Sequence, residues 1–193
     1  MVHLSRIYTR SGDDGTTGLG DGSRRTKADA RVASYGDCDE LGAQLGVCAL
    51  EAREPGFLAS IRRVQNDLFD LGADLCVPAA EDEQPGAALR IREAQVRRLE
   101  DEIDDVNAGL EPLNSFVLSG GTPLGAQLHL ARCVARRCER SIVALAGIET
   151  INAVAVRYVN RLSDWLFVMA RHANRGGGEV LWVPGGDDEP EAG

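Results

Sequence analysis

Aromatic residues are scarce in this chain, 5% of 193 positions, although 44% of the residues are apolar. Ala, Leu and Val carry that apolar content, so a helical protein is expected rather than a β-sandwich built on aromatic and β-branched strands. Five cysteines (Cys38, Cys48, Cys76, Cys133, Cys138) form no C-x-x-C pair. An odd number without paired spacing argues against a disulfide framework or a zinc site, and they read as small apolar helix residues in a reducing compartment. No run of about 18 apolar residues is present to span a membrane, and the first ten residues lack the apolar core of a signal peptide. A soluble, cytoplasmic protein is the expectation. Basic charge is also short: 21 Lys and Arg against 30 Asp and Glu give a net charge of −9. Such a chain repels nucleic acid and anionic membrane surfaces, and neither is expected as a partner.

What is present is helical periodicity over one domain. A first helix is read from near Asp37, with Glu40 completing a capping box, through Leu41, Leu45 and Cys48 to Pro55-Gly56. Leu58, Ile61, Val64, Leu68, Leu71 and Leu75 define a second that ends before Pro78. After an acidic loop over 79–88, Val96, Leu99, Ile103 and Val106 share one face of a third. A fourth spans about Pro123 to Ala146, and a fifth about Thr150 to Ala173, where Gly176-Gly177-Gly178 breaks it. Val180 to Val183 reads as extended, and the acidic tail 185–193 as disordered. Five helices with short links make an all-α, up-and-down bundle.

The fourth helix carries the strongest functional signal. At 100° per residue, His129, Arg132, Arg136 and Arg140 fall in one stripe roughly 80° wide, with Leu124, Ala131, Val134, Cys138, Ile142 and Leu145 opposite. Only Glu139 stands close to offset three guanidinium groups. The stripe needs an anion: a polyphosphate, which suits planar forked donors, or carboxylates from elsewhere in this acidic fold. A second candidate is the segment Tyr8 to Arg31, with five glycines among Thr, Ser, Asp, Arg and Lys. It lacks both helical and strand periodicity, is neither a Walker A loop nor G-x-G-x-x-G, and reads as an irregular phosphate cradle or a flexible leader. On the fifth helix Asn160, Asp164, Phe167 and Arg171 line up within about 60°. Asp39 reads as a surface carboxylate or as a partner for a fourth-helix arginine. Asn160 suits an adenine or ribose edge, or a bridge within the bundle. Phe116 before Gly120-Gly121 suits a loop anchor, and His129 a structural role.

Taken in order, these stretches resemble the PduO-type ATP:cob(I)alamin adenosyltransferase family. Its motif Y-T-[KR]-[TS]-G-D-x-G-T-T corresponds to Tyr8–Thr17, and R-V-x-x-Y-G-x-x-D-E-L to Arg31–Leu41. F-[IV]-L-x-G-G corresponds to Phe116–Gly121, L-H-x-A-R-x-x-x-R-R-x-E-R to Leu128–Arg140, and Y-[LV]-N-R-L-S-D-x-[LF]-F to Tyr158–Phe167. Departures are small: Arg10 where Lys is common, Cys38 where Val or Thr is usual, and Ser119 where Pro is usual.

The resemblance implies a five-helix bundle over 35–173 behind a segment, 1–34, that folds over the triphosphate of ATP. It implies a homotrimer with ATP between subunits, and transfer of the 5′-deoxyadenosyl group of ATP to reduced cobalamin with Mg²⁺ present. Carried over by position, Thr9, Arg10, Ser11, Gly12, Thr17, Gly18 and Lys27 contact ATP, as do Arg136, Arg137, Glu139, Arg140 and Asn160. Asp39 and Arg132 form a salt bridge that shapes the site, and Phe116 faces the corrin. No metal ligand is assigned. An electron-donating flavoprotein and an adenosylcobalamin-dependent mutase are the implied partners. The chemistry is consistent with the absence of a Ser-His-Asp, Cys-His or paired-carboxylate arrangement, because cob(I)alamin is itself the nucleophile. Two other readings remain at this point: an ATP-gated carrier of adenosylcobalamin, and a helical scaffold whose arginines only join subunits.

Overall fold

The structure, a computed structural model, describes residues 7–80 and 83–185. The acidic tail from 186 lies outside the described residues. Five helices make the body: α1 (Ala30–Glu51), α2 (Pro55–Cys76), α3 (Glu93–Asn107), α4 (Pro123–Ala146) and α5 (Ala153–Ala173). Packing runs α2–α1–α4–α5–α3, each helix lying mainly against its neighbours in that order. The core is aliphatic, with Leu41, Leu45, Ile61, Leu71, Leu99, Leu128, Ile142, Leu162 and Leu166 all buried around Trp165. Among the described residues no helix is long and apolar enough to cross a membrane.

Capping fixes most boundaries. Pro55 and Pro123 occupy first-turn positions, where the missing N–H costs no helical bond. Thr122 Oγ1 accepts from Gly125 N–H at 3.1 Å, and Asn152 Oδ1 from Val154 N–H at 3.1 Å. The expected start of α1 near Asp37 is wrong by two turns. Asp29 is the cap, its carboxylate accepting from Arg31 N–H at 2.8 Å, so the bundle begins at residue 30 and not at 35. The early turns escaped the periodicity because their buried positions are polar. Arg31 is 1% exposed and Ser34 fully buried. Arg31 donates to Leu75 O at 2.7 Å and twice to Glu149 Oε2, at 2.7 and 3.1 Å. One guanidinium thus ties the start of α1 to the end of α2 and to the α4–α5 connection.

The N-terminal segment is also more regular than expected. Thr16–Gly18 (β1) pairs antiparallel with Arg24–Thr26 (β2), placing Thr17 opposite Arg25. Strands of three mostly polar residues carry no legible alternation. The hairpin is held from outside: Gly20 N–H donates to Cys76 O at 3.0 Å, and Arg25 faces Glu149 Oε1 at 3.7 Å. After α5 the chain returns beside the loop before α4, with Leu181 bridged to Val117.

Candidate functional site

The glycine-rich segment folds around its own polar groups. Lys27 Nζ donates to Gly12 O at 2.8 Å, Arg24 donates to Ser11 O at 2.6 Å, and the Thr9 and Ser11 hydroxyls meet at 2.8 Å. Asp14 accepts from the Thr16 hydroxyl at 2.7 Å and from Thr16 N–H at 2.9 Å. Those bonds hold its carboxyl below the usual range. A Cβ on Gly12 would press on Thr16 O at 2.9 Å and on Lys27 Nζ at 3.1 Å, so glycine is what lets the lysine close over this turn. Arg10 sits at φ 62, a left-handed conformation uncommon for non-glycine residues and typical of ligand clamps. Thr9, Arg10, Ser11 and Gly12 therefore share one loop, which Lys27 reaches from beyond β2, with Thr17 and Gly18 on the adjoining strand.

The arginine stripe divides by burial. Arg136 and Arg140 are exposed on the outer face of α4, where Arg140 Nη1 donates to Arg136 O at 2.9 Å. Neither has an acidic partner among the described residues. Arg137 turns instead to α1, bonded to Glu40 and 3.8 Å from Asp37. The Glu40 carboxylate, first of these, raises its pKa further. Glu139 accepts from Asn160 Nδ2 at 2.9 Å, so two expected nucleotide residues from adjacent helices stand together.

Arg132 is half-buried, its guanidinium 5.9 Å from the Phe167 ring centroid and its Nε buried without a partner among the described residues. His129, one turn earlier, is 1% exposed and packs edge-on against Phe167 at 6.2 Å. Both of its ring nitrogens lack partners among the described residues. Burial pushes its pKa down, the nearby Arg132 adds to this, and Glu179 opposes it. Asp39 is exposed and lines a separate groove of about 540 Å³ between α1 and α2, with Tyr35 and Phe69. No ion pair joins Asp39 to Arg132 among the described residues, so the expected bridge does not form within one chain. Arg171, which the helical repeat aligns with Asn160 and Asp164, is buried: it donates to Glu179 at 2.9 Å and to Glu111 O at 2.7 Å.

Phe116 is no core anchor. Its side chain is 77% exposed and lines a cavity of about 950 Å³ with Arg132, Phe167, Leu181, Trp182 and Val183. Its ring lies 5.9 Å from that of Trp182. The cavity wall contributed by Leu181 and Trp182 was legible only as an extended run, because its pairing with residue 117 spans more than sixty positions. A further cavity of about 690 Å³ beneath the α4–α5 connection, lined by Ile148, Ile151 and Arg157, holds none of the expected residues.

An exposed arginine face, a glycine-rich loop rich in donors and an open, largely apolar cavity are features that a phosphorylated ligand and a broad apolar one would each require. The chain belongs to the cobalamin adenosyltransferase family, which it matches over residues 7–173. It is 52% identical over 189 residues to a corrinoid adenosyltransferase of Mycobacterium tuberculosis, covering 96% of this chain and 97% of that one. It is 45% identical over 182 residues to a cobalamin adenosyltransferase of Cupriavidus metallidurans, covering 93% and 95%. In structure it is similar to a variant of a PduO-type ATP:corrinoid adenosyltransferase from Lactobacillus reuteri complexed with cobalamin and ATP. There the TM-score is 0.86 at 34% identity, with 92% of this chain and 99% of that chain covered.

Proposed function

We propose that this protein transfers the 5′-deoxyadenosyl group of ATP to the cobalt of cob(I)alamin, giving adenosylcobalamin and triphosphate. Cob(I)alamin attacks C5′ with its electron pair. A cobalt–carbon bond forms, the C5′–oxygen bond breaks, and triphosphate leaves with the electrons of that bond. No protein base is required. The protein holds the carbon in line with the cobalt and neutralises the charge growing on the leaving group.

The observation that carries this reading is the pair Arg136 and Arg140, exposed and without acidic partners among the described residues. They face the triphosphate, with Lys27 and the Thr9–Gly12 turn closing from the other side. Glu139 and Asn160 take the nucleoside end, and Arg137 joins the site while keeping α1 and α4 in register. A Mg²⁺ ion would arrive on the triphosphate, since it binds substrate phosphates more readily than all-protein cages; its contribution is charge neutralisation.

The two halves of the nucleotide site come from neighbouring subunits of a homotrimer. Within one chain the hairpin is tied to Cys76 and Glu149, and no hydrogen bond among the described residues joins it to Arg136. Asp39 and Arg132 line different grooves of one chain, which supports a bridge formed between two subunits, the α1–α2 groove of one receiving the α4–α5 face of the next. Phe116 sits against the corrin on the side of the lower axial ligand and displaces it, which eases reduction of Co(II) to Co(I). A flavoprotein supplies the electron, and a mutase takes the product. Titration of the protein with MgATP in a calorimeter tests the nucleotide half. Saturable binding that Arg136→Ala weakens about tenfold or more is expected, and absence of binding by the parent protein refutes the reading in favour of a scaffold.

A further inference from the structure

Two cavity walls hang from one buried amide. Asn174, which follows α5, is 1% exposed. Its Oδ1 accepts from Thr122 N–H at 2.9 Å and from Thr122 Oγ1 at 3.0 Å, and its Nδ2 donates to Gly120 O at 3.0 Å. Its backbone carbonyl accepts from Gly178 N–H at 3.0 Å. A Cβ on Gly121 or Gly125 would collide with this amide, and Gly121 has φ 98. Both glycines are thus explained by the side chain that lies on them.

Gly120 ends the stretch that begins at Phe116, and Gly178 begins the stretch that reaches Trp182. These stretches are then joined to each other. Trp182 N–H donates to Phe116 O at 2.7 Å, Leu118 N–H to Val180 O at 2.8 Å, and Ser115 Oγ to Trp182 O at 2.6 Å. The Phe116 ring, being exposed, is not held by burial. Its backbone and the Trp182 ring beside it place it, and that backbone runs into a glycine pair with little conformational preference of its own. A side chain with every polar group engaged is what removes that freedom.

We propose that Asn174 is a positioning residue for the corrinoid half of the reaction: it sets Phe116 and Trp182 relative to Arg132 on α4 without touching the substrate. This rests on reading the Phe116 cavity as the corrinoid site. Misplacing a reacting partner by about 1 Å costs on the order of 100-fold in rate, so loosening this clamp is expected to be felt in turnover while the nucleotide side is spared.

The test is Asn174→Asp, which keeps the acceptor for Thr122 and sets an oxygen against Gly120 O in place of the donor. Hydrogen exchange should accelerate in peptides covering 114–121 and 179–185 while α1 and α2 keep their protection. Turnover from cob(II)alamin with a reductant should fall about tenfold or more, with KM for ATP unchanged. The Asn174→Asp/Phe116→Ala double variant should be less impaired than the sum of the two single losses. Unchanged exchange in those two peptides, protection lost throughout the bundle, or strictly additive rate losses would each overturn the proposal. Asn174→Ser, which also lacks the Gly120 bond, is read the same way if the carboxylate unfolds the end of α5. If exchange responds as expected but Phe116→Ala leaves corrinoid use intact, the clamp stands and the corrinoid assignment of the cavity falls.

Discussion

Asn160 and Glu139 are joined across the α4–α5 interface by a 2.9 Å hydrogen bond from Nδ2 to Oε1. Glu139 lies one helical turn from Arg136, yet its bonded oxygen is turned to α5 rather than to the guanidinium. The α4 face is thereby left with its positive charge available to a ligand.

Replacing Arg136 with Ala should weaken ATP use about tenfold or more, since a hydrogen bond to a charged group is worth about 1.5–3 kcal/mol. The side chain is exposed, so the variant should melt within about 2 °C of the parent. Steady-state kinetics with ATP varied, beside a melting curve, checks both. A folded variant with unchanged kinetics removes Arg136 from the phosphate site.

Asp39 and Arg132 should behave as one unit although they line different grooves of a single chain. Asp39→Asn and Arg132→Lys should each impair corrinoid use, and the double variant should cost less than the sum. Mixed trimers assembled from the two single variants should recover activity at sites where both native residues meet. Additive losses, or no recovery in mixtures, would show that the residues act apart.

Phe116→Ala should leave melting near that of the parent, because the ring is 77% exposed whereas core truncation costs about 3–5 kcal/mol. ATP binding should be normal. Activity should fail mainly when cob(II)alamin must be reduced on the protein, and preformed cob(I)alamin should restore much of it. Equal slowness from both oxidation states would contradict a role in axial-ligand displacement.

Much of this could be read from the sequence, for identifiable reasons. Pro123 at the start of α4 and Gly147 after its end punctuate a helix whose apolar positions repeat cleanly, and its stripe of arginines is a local pattern. Asp37-to-Glu40 imitates a capping box, while the true cap at Asp29 precedes buried polar residues, so the start of α1 was misplaced. The hairpin escaped because three-residue strands hold no period. Asn174, Trp182 and the Arg31–Glu149 pair act through contacts 52 or more residues away, which no local pattern records. Asp39 and Arg132 could be paired only by motif, since they line different grooves of one chain.

The burial of His129 sets the sign of the pH dependence it should give the protein. Burial holds its folded pKa below the ordinary value of about 6.5. Above that value both folded and unfolded rings are neutral, and the contribution is complete. As pH falls, the unfolded chain takes up a proton first, so stability is lost from about pH 6.5 down through the folded pKa. His129→Gln cannot titrate. The fall in Tm between about pH 7.5 and about pH 5 should therefore be smaller in the variant, and equal falls would contradict a buried neutral ring.

The central claim is that the adenosyl carbon moves to cobalt and the phosphates leave as one piece. The direct measurement mixes the protein anaerobically with cob(I)alamin and MgATP, follows the corrinoid spectrum, and analyses the phosphate products. Adenosylcobalamin and triphosphate appearing together, one of each for every ATP consumed, is the predicted result. ATP consumed to ADP and phosphate, or bound without a cobalt–carbon bond forming, would contradict the account.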